Sequence, residues 1–160
     1  MIISPTKAIE EGWVFGDDLD NECIQPNGID FRLERVFQLT GNFELAKTSK
    51  KNRQVTELEH YGIFPLFPGE YDILTNLKVK LPADIAATIM IRSSLSRNGL
   101  LFGNGLYDSG YEGTVGTVLH IPCQVQIEKG VRIGQIVFHS AQSAHKYNGQ
   151  YQDNMKYWRE

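Results

Sequence analysis

Apolar and polar residues alternate with a period of two along much of the chain, as in strands that bury one face. In the segment IDFRLERVFQL, Ile29, Phe31 and Leu33 are apolar and the residues between them are charged. The phase of this alternation shifts at Arg35 and Val36. Because an extra residue in one strand reverses the face that later side chains occupy, the shift predicts a β-bulge.

Several shorter runs of the same kind follow between residues 64 and 140. Turn-forming residues separate them at Pro68-Gly69, Asn76, Pro82-Ala83-Asp84 and Glu128-Lys129-Gly130. Short strands with glycine and proline between them predict an all-β barrel or sandwich. The polar segment from residue 42 to residue 60 interrupts this pattern, and we expect an exposed excursion or hairpin there.

The first residues follow a helical pattern instead. Ser4 is a candidate N-cap and Pro5 stands at the first helical position, while Ala8, Ile9 and Trp13 repeat on one side. This arrangement predicts a short helix between Ser4 and Trp13.

The chain is most simply one β domain, residues 1–140, followed by a tail, residues 141–160. The tail has no apolar face of either period, but it is rich in aromatic residues: Tyr147, Tyr151, Tyr157 and Trp158. Two interpretations are open. The tail is either a frayed terminus or a segment that docks on its own domain or on a neighbouring subunit.

Composition excludes some classes of function. Among 160 residues, 41% are hydrophobic and the net charge is −3, so a non-specific grip on nucleic acid is not expected. A single cationic pocket for a small anion is still compatible with that charge. No run of 18 apolar residues is present, so we expect no membrane span. Cys23 and Cys123 are too few for a disulfide framework, and we expect two buried thiols in a reducing, cytoplasmic compartment.

The segment RSSLSRNGLLFGNGLYDSGYEG, residues 92–113, concentrates the residue types that bind phosphate. Arg92 offers a planar set of donors, Ser93 and Ser94 add hydroxyl groups, and the glycines permit close backbone approach. Asp108 lies in a turn signature, where it either bonds its own backbone or serves a reaction. Tyr111 is either a packing residue or part of a ligand site.

Four motifs occur in one order: GIDFRL, RSSLSRNGL, NGLYDSGYEG and GVRIGQIVF. Over residues 24–138 this order resembles the trimeric dUTPase and dCTP deaminase superfamily. The resemblance implies a distorted β-barrel or jelly-roll subunit and a homotrimer with active sites between subunits. It also implies a small-molecule ligand, a deoxynucleoside triphosphate bound with Mg²⁺, rather than a nucleic acid or a membrane.

The ends of the chain resemble the deaminase branch, whose tail typically reads KYQGQ where this chain has KYNGQYQ. By that match Lys146, Tyr147 and Gln150 would fold over the triphosphate. The strand after the turn differs, because Val118 stands where deaminases have their proton-transferring glutamate. Deamination needs a group that takes a proton from water and gives one to the leaving amine. His120 lies on the same face, and we interpret it as an ordinary strand histidine.

The segment YDSGYEGTV also resembles the third dUTPase motif, and the loop from Gly99 to Asp108 has a length found among dUTPases. The preferred hypothesis is therefore a Mg²⁺-dependent dUTP diphosphatase that forms dUMP and pyrophosphate. The alternatives are a dCTP deaminase, mono- or bifunctional, and a non-catalytic nucleotide-binding regulator.

The resemblance also implies a role for individual residues. Asp108 would orient the attacking water, and Tyr111 would stack under the sugar. Asp30 would act on the water ligands of Mg²⁺. The base would be read by the hairpin residues Asn104, Gly105 and Leu106. The phosphate oxygens would be held by Arg92, Ser93, Ser94, Arg97 and Gln135, with Lys146 and Gln150 from the tail.

Overall fold

The computed structural model describes residues 1–149 and 151–152, and these residues form mostly short and medium strands. The helices are α1 (Pro5–Glu10) and α2 (Ser93–Ser96). The strands are β1 (Val14–Gly16), β2 (Ile29–Thr40), β3 (Glu44–Leu45), β4 (Lys50–Lys51), β5 (Gln54–Glu57), β6 (Ile63–Leu66), β7 (Gly69–Lys80), β8 (Ile85–Ile91), β9 (Leu101–Phe102), β10 (Leu106–Tyr107), β11 (Glu112–Ile121), β12 (Val125–Glu128) and β13 (Arg132–Ser140).

Nine of these strands form one curled antiparallel sheet in the order β10-β8-β13-β2-β7-β11-β9, with β1 added to β7 and β5 added to β2. Two small two-stranded sheets, β12-β6 and β3-β4, complete the described structure. The sheet curls into a half-barrel around a core of fully buried side chains that includes Phe31, Ile73 and Phe138. The predicted all-β class is therefore confirmed.

The long strand β2 carries the bulge that its sequence pattern predicts. Its pairing with β7 shifts register between Leu33 and Arg35. Before the bulge Phe31 and Leu33 enter the core, and after it Val36 does so. The extra residue therefore restores an apolar face that a regular strand would have turned outward.

The predicted break at Asn76 is wrong, because β7 continues through it to Lys80. The ladder from β7 to β2 ends at Thr75, and the ladder to β11 shifts register between Leu74 and Lys78. Asn76 lies outside both registers and makes hydrogen bonds through its side chain. Its Oδ1 accepts a hydrogen bond from the Arg32 backbone N–H at 2.8 Å, and its Nδ2 donates to the Asp17 carbonyl at 2.6 Å. A single asparagine can therefore bridge two segments without ending the strand.

Helix α1 is shorter than predicted, and Ser4 occupies the N-cap position without a side-chain capping bond. The helix closes one end of the core by burying Pro5 and Ala8. Trp13 follows it and lies 6.4 Å from Phe138, measured between ring centroids. Among the residues described, no helix is long and apolar enough to cross a membrane.

The polar segment after β2 is an exposed hairpin, as predicted. β3 and β4 pair with each other, and β5 then returns along the outer end of β2. Arg35 holds β5 through a two-point bond to the Glu57 carboxylate, at 2.6 and 2.7 Å. This bond lowers the pKa of Glu57 and raises the pKa of Arg35.

The two cysteines differ, and the prediction of two buried thiols is wrong for one of them. Cys23 is fully buried, whereas Cys123 is exposed in the turn between β11 and β12. Burial raises the pKa of the Cys23 thiol, which lowers the fraction of reactive thiolate below that pKa.

We therefore expect a thiol reagent at pH 8 to modify Cys123 rapidly in the folded protein and Cys23 only when the protein unfolds. A stopped-flow absorbance assay with and without denaturant measures both steps. Cys123→Ser is the control, because it should remove the fast phase and leave the slow one. Rapid modification of both Cys23 and Cys123 in the folded wild type would contradict the assignment.

Candidate active site

Three clefts border the segment that sequence motifs single out, and the first lies beside the loop between β9 and β10. This hairpin cleft, of about 490 Å³, is lined by Gly103–Asp108, by Tyr111, by Gly116–Val118 of β11 and by Asp72 of β7. The second, the tail cleft, has a volume of about 640 Å³ and lies between Asp108 and residues 141–149. The third, the arginine cleft, is lined in part by Arg92 and Arg132 and has a volume of about 460 Å³.

The hairpin, residues 103–106, is held on β11 by both backbone groups of its first residue, Gly103. The Gly103 N–H donates to the Val118 carbonyl at 2.7 Å. The Gly103 carbonyl accepts a hydrogen bond from the Thr117 hydroxyl, also at 2.7 Å. Asn104 and Gly105 then project beyond β11 as exposed residues. The backbone of the hairpin therefore lies beside Thr117 and Val118 of β11, which form one wall of the hairpin cleft.

Three tyrosines form another wall of this cleft. The ring of Tyr111 lies edge-on to Tyr107 at 5.2 Å and to Tyr147 of the tail at 5.6 Å, between centroids. The Tyr107 hydroxyl donates to the Gly116 carbonyl at 2.6 Å and accepts from the Gly116 N–H at 3.1 Å. It therefore satisfies both backbone groups of Gly116 where β11 slips register against β7.

Asp108 is exposed and lines both the hairpin cleft and the tail cleft. It begins a tight turn in which the Tyr111 N–H donates to the Asp108 carbonyl at 3.0 Å. Gly110 adopts φ +88°, in the left-handed region that favours glycine. The turn thus fixes the Asp108 backbone and leaves its carboxylate free to face solvent at the mouth of the clefts.

The described part of the tail docks on its own domain, which decides between the two interpretations for residues 141–149. The Tyr147 N–H donates to the Ser109 carbonyl at 2.7 Å, and the Ser143 hydroxyl bonds the buried Ser109 hydroxyl at 2.7 Å. Lys146 is exposed but packs beside Gly110 through its stem. The predicted residue Gln150, with Tyr157 and Trp158, lies outside the described residues.

The arginine cleft combines two guanidinium groups with one buried carboxylate. Arg92 precedes α2, and its Nη1 donates to the Arg132 carbonyl at 3.0 Å. Asp30 accepts hydrogen bonds from Arg132 Nη1 at 3.2 Å and from Gln135 Nε2 at 3.3 Å. The bond of Arg92 directs its guanidinium toward β13, and the bonds of Arg132 and Gln135 direct their donor groups toward Asp30 of β2, so both arginines line one opening.

The structure brings most of the predicted site residues into two groups. The hairpin cleft collects Asn104, Gly105, Leu106, Asp108 and Tyr111. The arginine cleft collects Asp30, Arg92, Ser93 and Gln135. Ser94 and Arg97 are exposed in and just after α2 and do not line the arginine cleft as the structure describes it.

The two groups border successive parts of β8. Ile89 lines the hairpin cleft, whereas Met90 and Ile91, at the end of the strand, line the arginine cleft. Among the described residues, none lines both clefts.

Two polar residues of these clefts escaped sequence reasoning. Arg132 stands in the GVRIGQIVF motif, but only the structure gives it the partner Asp30. Asp72 lies within an apolar run of β7, directly opposite Val118 of β11. A carboxylate inside such a run could have indicated a functional residue, although the sequence does not show which strand pairs with it.

The donor set bears on whether a metal ion fits. Within residues 1–149 and 151–152, no group of three histidine, cysteine or acidic side chains is arranged to hold a metal ion. Asp30 is the carboxylate of the arginine cleft, and the hydrogen bonds from Arg132 and Gln135 leave lone pairs on both of its oxygens. Such a set fits an ion held mainly by a ligand's own oxygens and by water.

The chain belongs to the dCTP deaminase-like family, since the model of that family matches residues 5–141. The probable deoxyuridine 5′-triphosphate nucleotidohydrolase of Methanopyrus kandleri is 34% identical over 139 residues, covering 84% of this chain and 90% of that protein. The "dCTP deaminase, dUMP-forming" of Thermobifida fusca is 36% identical over 141 residues, covering 81% of this chain and 71% of that protein.

The fold is similar to that of a solved structure, the 2′-deoxycytidine 5′-triphosphate deaminase from Agrobacterium tumefaciens. The two superpose with a TM-score of 0.70 at 18% identity over 89% of this chain. The match covers 49% of the deaminase chain, so the present chain spans about half its length. The resemblance drawn from the four motifs, and the mostly β, dUTPase-like fold that it implies, are confirmed.

We expect Gly110→Ala to release the tail from the turn. A Cβ atom at this position would lie 2.8 Å from the Lys146 Cβ and 3.1 Å from the Tyr147 nitrogen. The left-handed φ adds a cost of about 1–2 kcal/mol for a residue with a side chain. Hydrogen exchange of the Tyr147 amide should therefore become at least about tenfold faster.

Gly105→Ala is the matched control, because a Cβ atom there meets nothing within 4 Å and its φ is not left-handed. It should leave the exchange of the tail peptide as in the wild type. An unchanged Tyr147 amide in Gly110→Ala would show that the turn does not hold the tail.

Proposed function

We propose that the protein is a Mg²⁺-dependent dUTP diphosphatase, which hydrolyses dUTP to dUMP and pyrophosphate. The observation that carries this proposal is the pairing of an exposed carboxylate, Asp108, at the mouth of the hairpin cleft with an apolar residue, Val118, inside it. Hydrolysis of a triphosphate needs a positioned water and neutralised charge. It does not need the acid that deamination requires on β11.

In this reaction a water molecule attacks the α-phosphorus, and the bond from that phosphorus to the bridging oxygen breaks. Pyrophosphate leaves with the bridging oxygen, and the proton lost by the water passes to solvent at the exposed mouth of the cleft. Asp108 accepts a hydrogen bond from the water and orients its lone pair toward phosphorus. The rigid turn around Gly110 holds the Asp108 backbone in place, so little reorganisation is needed. Tyr111, fixed between Tyr107 and Tyr147, packs under the deoxyribose and excludes a 2′-hydroxyl.

The phosphate groups would be held by the arginine cleft. Arg92, Ser93 and Gln135 supply donors there, and Arg132 adds a second guanidinium. Ser94 and Arg97, exposed around α2, and Lys146 and Gln150 of the tail would complete the grip. Mg²⁺ would be carried by the phosphate oxygens and neutralise part of their charge, while Asp30 would bind its water ligands.

A complete site would need a second copy of the chain, because the described residues form the hairpin and arginine clefts as separate openings with no lining residue in common. We propose a homotrimer in which the hairpin cleft of one subunit faces the arginine cleft of the next. This arrangement lets one nucleotide place its base in the first and its phosphates in the second.

A dUMP-forming dCTP deaminase is the second candidate. It is favoured by the Thermobifida fusca relative of that name and by the deaminase-like tail sequence KYNGQYQ. A regulator that binds a nucleotide without turnover is the third.

Incubation of the protein with Mg²⁺ and either dUTP or dCTP, with ammonia and pyrophosphate assayed separately, distinguishes the three candidates. We expect pyrophosphate from dUTP and no ammonia from dCTP. Asp108→Asn should reduce pyrophosphate release at least about a hundredfold, because an amide cannot orient the water in the same way. Nucleotide binding should persist in this variant.

Asp17→Asn is the matched control, since Asp17 is an exposed loop aspartate outside the three clefts. Its turnover should equal that of the wild type. Ammonia from dCTP would overturn the diphosphatase proposal, and unchanged turnover in Asp108→Asn would remove Asp108 from the mechanism.

The shared site makes a separate prediction for mixed subunits. Asp108→Asn and Arg92→Ala should each be inactive alone, because each breaks every site of its own trimer. After co-refolding in equal amounts, about a quarter of the sites should combine an intact Asp108 with an intact Arg92. Sedimentation gives the oligomeric state, and recovery of no activity in a mixed trimer would argue against shared sites.

A further inference from the structure

Asp72 is a carboxylate in the middle of the central strand β7 and is only 2% exposed. Its neighbours Tyr71 and Ile73 pack into the core. Because side chains of a strand alternate between faces, Asp72 points to the opposite side, where it lines the hairpin cleft. Removing a carboxylate from water is costly, so an apolar residue would be the stable choice for a position with no polar task.

The sheet places Asp72, Val118 and Gly103 of the hairpin in one row across neighbouring strands. Asp72 is the direct partner of Val118 in the ladder between β7 and β11. On the far side of Val118, the Gly103 N–H bonds the Val118 carbonyl. A Cβ atom on Gly103 would lie 3.5 Å from the Val118 Cβ, so the missing side chain of Gly103 would have occupied this same face. The Val118 side chain therefore lies between the Asp72 carboxylate on one side and Gly103, which has no side chain, on the other.

This row can recognise the edge of a pyrimidine. Uracil has one donor on that edge, N3–H, between two carbonyl oxygens, whereas cytosine has a lone pair at N3. A carboxylate accepts hydrogen bonds and, when ionised, donates none. An acceptor that faces N3 therefore favours uracil and repels cytosine. The nearby Gly103 carbonyl already accepts from Thr117.

We propose that Asp72 accepts the N3–H of a uracil ring seated on Val118, and that it determines the base specificity of the site. The proposal rests on the proposed function, since it requires a uracil nucleotide in the hairpin cleft. It assigns the choice of base to a side chain of β7, the neighbouring strand, in addition to the backbone of the hairpin.

The neighbouring carboxylate Glu70 provides a matched control. It lies two residues earlier on the same face of β7, and it contacts Arg53 at 3.3 Å and His120 at 3.4 Å. Glu70 does not line the hairpin cleft. Glu70→Gln therefore removes a similar negative charge from this face without removing the acceptor.

The experiment compares kcat/KM for pyrophosphate release from dUTP and from N3-methyl-dUTP. In the wild type, the methyl group should lower kcat/KM about tenfold to a hundredfold, as loss of a charged hydrogen bond does. Asp72→Ala should lose a similar factor on dUTP and lose little more on the methylated substrate. A third substrate, dCTP, tests the variant Asp72→Asn. This variant should raise the ratio of pyrophosphate release from dCTP to that from dUTP, because its amide can donate a hydrogen bond to N3 of cytosine. Glu70→Gln should behave as the wild type.

Equal turnover of dUTP and N3-methyl-dUTP by the folded wild type would overturn the proposal, whatever the variants do. So would a further large loss on the methylated substrate in Asp72→Ala, which would indicate a purely structural carboxylate. Ammonia release from dCTP that Asp72→Asn abolishes would also overturn it, by giving Asp72 a role in proton transfer.

Binding of the non-hydrolysable analogue dUpNHpp, measured by calorimetry, separates this proposal from the proposed function. A wild type that releases no pyrophosphate from dUTP but binds dUpNHpp at least about tenfold more tightly than Asp72→Ala would refute hydrolysis and support base recognition. Equal binding to both proteins would refute base recognition alone.

Discussion

The two ladders of β7 are the constraint on which the rest of the structure depends. β7 pairs with β2 along one edge and with β11 along the other, and the pairing with β11 is the longest in the sheet. Because side chains alternate along each strand, one register fixes both faces at once. It directs Ile73 into the core and Asp72 into the hairpin cleft. A one-residue slip would exchange the core and the cleft, so the stability of the domain and the composition of its site have the same origin.

Local features of the fold could be read from the sequence, because they depend on residues close together in the chain. The alternation from Ile29 to Leu33, the bulge after it and the helix at Pro5 are of this kind. The continuation of β7 through Asn76 could not be read, because it depends on bonds to Arg32 and Asp17, which are far away in the chain. The same is true of the exposure of Cys123, which follows from how β11 and β12 are packed.

The candidate site divides in the same way. The motifs identify Asp108, Tyr111, Arg92 and Gln135, since their types and order carry the resemblance. They do not separate these residues into two clefts, because that separation depends on which strands and loops the fold brings together around each opening. Nor do they reveal Asp72, which enters the site only through the register of β7 against β11.

Tyr107 joins the cleft to the interior. Its ring belongs to the core cluster, its edge contacts Tyr111, and its hydroxyl completes the backbone bonding of Gly116. One wall of the cleft is therefore also a support of the β11 irregularity. Substitution of Tyr107 would remove this support from β11, whereas substitution of Asp72 or Val118 would leave the backbone bonds of Gly116 in place. On the proposed role of Asp72, a new base preference would arise from substitutions at two positions that face each other across the ladder but lie 46 residues apart in the chain.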